Sequence, residues 1–284
     1  MTNVEQQEAW NGISGESWVR QDEKHDGQLV PWAELLAATA AVQPGERVLD
    51  IGCGCGATTI EAARRAAPDG QAIGVDLSGP MTARAREKAV EAGLTNTRFE
   101  VGDAQTDDLT LGDAPYDVVI SRFGVMFFED PVAAFANMHK ATRPGGRLAM
   151  VAWAPIDQQQ WIRVPMQAAL AHVPLPPLLA TSGPGMFGLA DHDGTVSLLR
   201  EAGWDDIAIE PHLRTMLLGG GGTLDETLTF LLNSGIGRAL FAQEDVPAEA
   251  LEKGTAAARD ALAEHLTPEG VTLDGTAVMI TARR

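Results

Sequence analysis

The chain has 284 residues, 45% of them hydrophobic and 21% charged, enough apolar material for one large domain or one domain with an insertion. Its 39 acidic side chains against 21 basic ones give a formal charge of −18, which excludes a broad basic surface for nucleic acid or anionic membrane. The most apolar stretches, such as VPLPPLLA, are short and broken by proline, which excludes a membrane span.

The N-terminus MTNVEQQEAW has neither a basic nor an apolar signal region, so the expected location is the cytoplasm. Residues 5–25 place Trp10 and Trp18 among polar side chains and read as a separate arm. LVPWAELLAATAAV (29–42) has the spacing of an amphipathic helix, so a helical arm is expected over residues 1–44. From residue 45 to 153 apolar runs alternate with helical patterns. RVLDIG (47–52), QAIGVDL (71–77), TRFEVGD (97–103), YDVVISRF (116–123) and GRLAMVAW (146–153) read as strands. TTIEAARRAA (58–67), PMTARAREKAVEAG (80–93) and PVAAFANMHKATR (131–143) read as the helices between them. Units of about 20 to 30 residues suit βαβ crossovers, and the pattern predicts a doubly wound, mostly parallel sheet. Residues 154–190 are rich in proline and large apolar side chains and read as an inserted lid of short helices. Residues 191–284 complete the α/β core. They supply a helix over 194–204, a strand over 206–218, helices near 223–234 and 247–266, and a last strand VTLDGTAVMITARR that closes the sheet with one antiparallel member. GGGG (219–222) reads as a flexible turn.

The chemistry concentrates in VLDIGCGCG. Gly52, Gly54 and Gly56 let the chain turn sharply between a strand and a helix, the general recipe for a nucleotide-like ligand at a sheet switch point. G-C-G-C-G-A also satisfies the looser dinucleotide fingerprint, and Asp76 stands at a suitable distance, so an NAD(P)-dependent oxidoreductase is one reading. Asp50 favours another. A carboxylate beside the bend repels a diphosphate, whereas it attracts a ligand carrying an ammonium and a sulfonium. S-adenosylmethionine is such a ligand. Asp76, ending the second strand, can accept ribose hydroxyls; Asp103, in Gly102-Asp103-Ala104, can accept an adenine amino group. Ser121-Arg122-Phe123, ending the fourth strand, faces the methionine end.

VLDIGCGCG, VDLSGPM, VGDAQ, YDVVISRFGVMFFEDP and RPGGRLAMVAW resemble, in order and spacing, the motifs of class I S-adenosylmethionine-dependent methyltransferases, most of all the branch related to ubiquinone/menaquinone and small-molecule methyltransferases. The resemblance is strong over about residues 45–155 and looser near 206–218 and 271–284. It implies a Rossmann-like fold with a seven-stranded sheet, the cofactor across the carboxyl ends of the first four strands, and methyl transfer by in-line displacement to an acceptor. Carried onto this chain, it adds Cys53, Leu77, Met81 and Ser121 to the cofactor contacts, and it implies that Trp18 of the arm covers the methionine end. A fold that keeps the cofactor for a non-catalytic purpose is a further alternative.

Cys53 and Cys55 are the only cysteines. C-x-C without a further cysteine or a nearby histidine is a poor ligand set, so no metal is expected. Met126, Phe127 and Phe128 are candidates for the acceptor pocket, with Trp153, Trp161, Met166, Met186 and Phe187 as an apolar lid. His25 in the arm and His172 in the insertion are the two candidate bases. The expected partner is a small, fairly apolar acceptor, and the arm offers a surface through which two subunits could pair.

Overall fold

The computed structural model describes residues 4–112, 115–175, 184–241, 243 and 245–284. Residues 176–183 of the expected lid lie outside the described residues. Strands β1 (Arg47–Ile51), β2 (Gln71–Asp76), β3 (Thr97–Val101), β4 (Tyr116–Arg122), β5 (Thr142–Trp153), β6 (Asp205–Leu217) and β8 (Gly270–Arg283) form one sheet in the order β3-β2-β1-β4-β5-β8-β6. A two-residue β7 (Leu266–Thr267) pairs with β8 alone. The first five strands are parallel, and β8 runs antiparallel to both β5 and β6. The doubly wound, mostly parallel sheet expected from the alternation is therefore present.

The strands at the centre read as unbroken apolar runs because helices cover both faces. Val48, Leu49, Ile73, Val118, Val119 and Ile280 are all fully buried. Helix α5 (Ala57–Ala66) turns alanines and threonines toward the sheet, so it packs close to the strand it follows. Local chemistry sets the helix starts. Ser78 caps α6 (Gly79–Glu91) at Met81 N–H, and Asp130 caps α7 (Pro131–Ala141) at Ala133 N–H, with proline in the first turn of each. Asp191 does the same for α9 (His192–Glu201).

Three expectations need correction. Strand β5 starts at Thr142, so RPGG belongs to the strand; a register shift against β4 between Tyr116 and Val118 absorbs the extra residues. Between β6 and β8 lie three helices, α10 (Leu224–Leu232), α11 (Gly235–Phe241) and α12 (Ala248–Ala263), where two were expected. The short α11, opening on glycine, lacks a periodic apolar stripe long enough to read. Finally, the N-terminal arm is helical but does not stand apart from the core. Helices α1 (Val4–Asn11), α2 (Ile13–Arg20) and α3 (Asp22–Gln28) fold onto the carboxyl ends of the strands, followed by α4 (Val30–Ala40). Trp32, Leu36 and Ala40 of α4 enter the main core, where Trp32 meets Trp153 edge-on and Trp153 stacks on Phe123 at 4.1 Å. Helix α8 (Gln160–Ala169), in the expected lid, packs on α12. Among the described residues no helix is long and apolar enough to cross a membrane.

Candidate functional site

The site grows from the bend after β1. Gly52, Gly54 and Gly56 have φ of +65°, +56° and +86°, a region that disfavours every residue with a Cβ. At Gly52 space is lacking as well: a Cβ there would lie 2.5 Å from Gly124 Cα, because the loops after β1 and β4 cross in contact. The bend wraps the end of β2. Gly52 N–H donates to Val75 O at 2.8 Å and Gly54 N–H to Asp76 Oδ2 at 2.8 Å. Met81 closes over Gly54 from α6, its methyl 3.1 Å from where a Cβ at position 54 would stand.

Asp50 is fully buried on β1. Its Oδ2 accepts from the hydroxyls of Thr58 (2.6 Å) and Thr59 (2.7 Å) at the start of α5, while Oδ1 has no partner among the described residues. Burial pushes its pKa up to about 6; the two threonine hydrogen bonds and the charge of Arg122 pull the other way. A buried carboxylate with one oxygen orphaned and its ionised form penalised is a seat that a cation would complete. The donor's ammonium fits that seat, and a diphosphate does not.

Asp76 is half-buried, and its two oxygens accept from Gly54 and Ser78 N–H, which orients the carboxylate and leaves further lone pairs for ligand hydroxyls. Burial raises its pKa. Gly102 N–H donates to Asp76 O at 3.0 Å, so the ends of β2 and β3 meet as expected. Asp103 accepts from Gln105 N–H, and Ala104 beside it is buried. The fully buried Ser121 donates its hydroxyl to Ile51 O at 2.7 Å, tying the end of β4 to the root of the glycine bend. Leu77 presents its carbonyl to Asn11 Nδ2 of the arm. The thiols of Cys53 and Cys55 are buried, and burial drives both pKa values upward; Cys53 Sγ packs against Gly74. Among the described residues no three His, Cys, Asp or Glu side chains gather to hold a metal ion.

The arm brings aromatic and charged groups to the same strand ends. Trp18 lies flat on His25, ring centroids 3.8 Å apart, His25 meets Phe230 edge-on, and Trp10 bridges Trp18 and Phe127. Burial drives the His25 pKa down to about 4; Asp26 opposes this and Arg122 adds to it. His172, by contrast, is exposed in the turn after α8, beside Val173 of a separate small cluster with Ala169, Leu240 and Ala258. Asp26 accepts from Lys88 and Arg122, both at 2.8 Å, and Asp22 accepts from Lys88 and Arg84. Burial alone would raise the Asp26 pKa, but the two cations hold it below the usual carboxylate range. Asp26, Lys88 and the threonine pair were not among the expected site residues. Thr58-Thr59 in the first turn after the bend is a signal that could have been read; an ion pair 96 residues apart is not.

Of the expected acceptor residues, Met126 and Phe128 are buried, Phe127 is half-buried, and Phe187 and Met186 pack with the main core. A small hollow of about 40 Å³ lies between α8 and α10–α12, walled by Trp161, Met166, Leu228, Leu231, Ile236 and Phe241 among others. Trp161 backs onto Trp153 at 5.4 Å, and its indole N–H is taken by the buried Gln159.

A family profile described as a methyltransferase domain matches residues 48–146. The aklanonic acid methyltransferase DauC of Streptomyces sp. (strain C5) is 35% identical over 152 residues, covering 51% of this chain and 68% of that protein. The ubiquinone/menaquinone biosynthesis C-methyltransferase UbiE of Teredinibacter turnerae is 34% identical over 121 residues, 42% of this chain and 48% of that one. The crystal structure of the YcgJ protein from Bacillus subtilis superposes with a TM-score of 0.56 at 19% identity, covering 89% of this chain and 97% of that one, a likeness of fold. The chain spans less than half the length of several other curated relatives that it matches. With the glycine bend, the two carboxylates and the strand order all in place, these similarities make the chain a member of the S-adenosylmethionine-dependent methyltransferases.

Proposed function

We propose that this protein transfers a methyl group from S-adenosylmethionine to a small, fairly apolar acceptor, a secondary metabolite or quinone-like ring. The observation that carries the reading is the orphaned, buried oxygen of Asp50 beside the glycine bend, a cation seat in the position where a dinucleotide would bring a diphosphate. Relatives named for aklanonic acid and for ubiquinone/menaquinone biosynthesis support the acceptor class.

When bound, S-adenosylmethionine supplies a methyl group already activated on a sulfonium. Asp50 would hold its ammonium and Asp76 its ribose hydroxyls, with Gly102-Asp103-Ala104 at the adenine. Gly52, Gly54 and Gly56 keep the backbone low enough to admit it, and Cys53, Leu77, Met81 and Ser121 shape the walls. Trp10, Trp18 and Phe127 exclude water above. Holding two reactants in register is worth about 7–11 kcal/mol of a barrier, so positioning is the main task left to these side chains. His25 serves as the stacking floor for Trp18. It is neutral at pH 7 and accepts a proton only near pH 4, which makes it a weak base. His172, exposed beyond α8, takes no part in this arrangement.

Calorimetry with S-adenosylhomocysteine tests the reading. Wild type should bind one equivalent, and Asp76→Ala should lose at least about tenfold in affinity, roughly 1.4 kcal/mol. Equal binding by the variant would remove Asp76 from the site. Saturable NADH binding in place of the thioether nucleoside would overturn the reaction class.

A further inference from the structure

Arg122 is the last residue of β4, and its side chain is only 11% exposed. In parallel register Asp50 of β1 lies beside Ile120, and Arg122 stands two residues further on, so it rises from the same sheet face as Asp50. The two charges are close enough for Arg122 to draw down the proton affinity of Asp50. Among the described residues the guanidinium makes one hydrogen bond, Nη2 to Asp26 Oδ1 at 2.8 Å, which leaves Nε and Nη1 without a protein partner. A guanidinium presents a planar fork suited to a carboxylate gripped through two N–H groups. Here it touches a single oxygen of a carboxylate delivered by the arm.

We infer that Arg122 is the receptor for the α-carboxylate of the donor's amino-acid end, and that Asp26 is a built-in carboxylate stand-in which yields Arg122 when the donor arrives. This rests on the donor assignment made above and adds a positioning pair to it. Asp50 with its orphaned oxygen and Arg122 with its unfilled fork make a negative and a positive pole on one face, the pattern that an α-amino acid zwitterion complements. Asp26 does not become an unpaired buried charge when displaced. Lys88 Nζ bonds it at 2.8 Å and also holds Asp22 at 2.9 Å, so α3 remains anchored through Lys88 while Arg122 changes partner. Before binding, Asp26 keeps the partly buried guanidinium paired, since an uncompensated charge at such a site is costly.

The test compares two thioether nucleosides by calorimetry on the full chain: S-adenosylhomocysteine, which carries the amino-acid end, and 5′-methylthioadenosine, which lacks it. Arg122→Gln should weaken S-adenosylhomocysteine at least tenfold, and Asp26→Asn should strengthen it three- to tenfold by removing the competitor. Affinity for 5′-methylthioadenosine should stay within twofold in both. Parallel loss of both nucleosides in Arg122→Gln would mean that the bend has collapsed, and the assignment falls. It falls equally if Asp26→Asn leaves S-adenosylhomocysteine unchanged or weaker, and this variant decides alone if melting shows Arg122→Gln unfolded. Failure of wild type to bind either nucleoside overturns the donor reading itself, and this inference with it.

Discussion

At the scale of single residues, Asp50 carries opposing demands. Its folded-state pKa of about 6 exceeds the ordinary 3.8, so between those values the folded protein holds a proton that the unfolded chain has released. Asp50 therefore lowers stability progressively as pH rises from about 4 to 6. The full cost, roughly 3 kcal/mol at most, applies above pH 6. Asp50→Asn should melt several degrees higher than wild type at pH 8, with little difference at pH 4.5, and should bind S-adenosylhomocysteine at least tenfold more weakly. A variant that loses stability equally at both pH values would reduce Asp50 to a cap for Thr58 and Thr59. Gly52 is constrained differently. A methyl group there meets both an unfavourable φ and the backbone of Gly124, so Gly52→Ala should cost more than about 2 kcal/mol in urea unfolding; a milder loss would show that the crossing of the two loops can relax.

At the scale of elements, the arm is bound at both ends by contacts that composition does not advertise. Asn11 donates to Leu77 O and accepts from Gly79 N–H, both at 2.9 Å, while Ser78 donates to Trp10 O at 2.6 Å. At the other end α3 rests on GGGG, which the sequence suggests is a flexible turn. In the fold the stretch forms a short 3₁₀ segment, Leu218–Gly220, whose Gly219 N–H donates to the buried Gln28. Gly27 lies so close that a Cβ there would stand 2.7 Å from Gly220 Cα. Alanine normally strengthens a helix by about 1 kcal/mol relative to glycine, yet here the added methyl meets backbone. Gly27→Ala should lower stability by roughly 1–2 kcal/mol and speed proteolytic cleavage within residues 20–30. Unchanged or slower cleavage would show that α3 does not depend on this contact.

At the scale of the molecule, burial pulls stability in opposite directions as pH changes. A formal charge of −18 repels itself within a compact shape, and the buried Asp50 and half-buried Asp76 are both more easily protonated in the folded state. Asp26, Glu46 and Asp117, held low by arginine and lysine partners, lose their contribution only when pH falls below the usual carboxylate range. His25, buried neutral with a pKa near 4, opposes Asp50 and Asp76 as pH falls from about 6.5 to 4, so thermal stability at low salt should vary little between pH 8 and pH 5.5 and should fall steeply below pH 4. Adding 0.5 M salt should raise the melting temperature at pH 8 by screening the net negative charge. A melting temperature that rises steadily from pH 5.5 to 8 would contradict this balance.

The glycine bend, its flanking strand and the carboxylates at residues 50 and 76 were legible in the sequence, because strand ends, tight turns and helix starts are written over a few adjacent residues. So was the alternation of short apolar runs with helical stripes, which leaves a parallel sheet as the arrangement that buries both faces. Adjacency says nothing about what comes to rest on those strand ends from elsewhere. The edge-on contact of His25 with Phe230, the seat of Gly27 on Gly220, and the pairing of Asp26 with Arg122 join segments roughly one to two hundred residues apart. Local chemistry, written over a few adjacent residues, specifies the sheet and the glycine bend. How the arm closes and which charges it brings follow instead from packing among segments with no common local pattern.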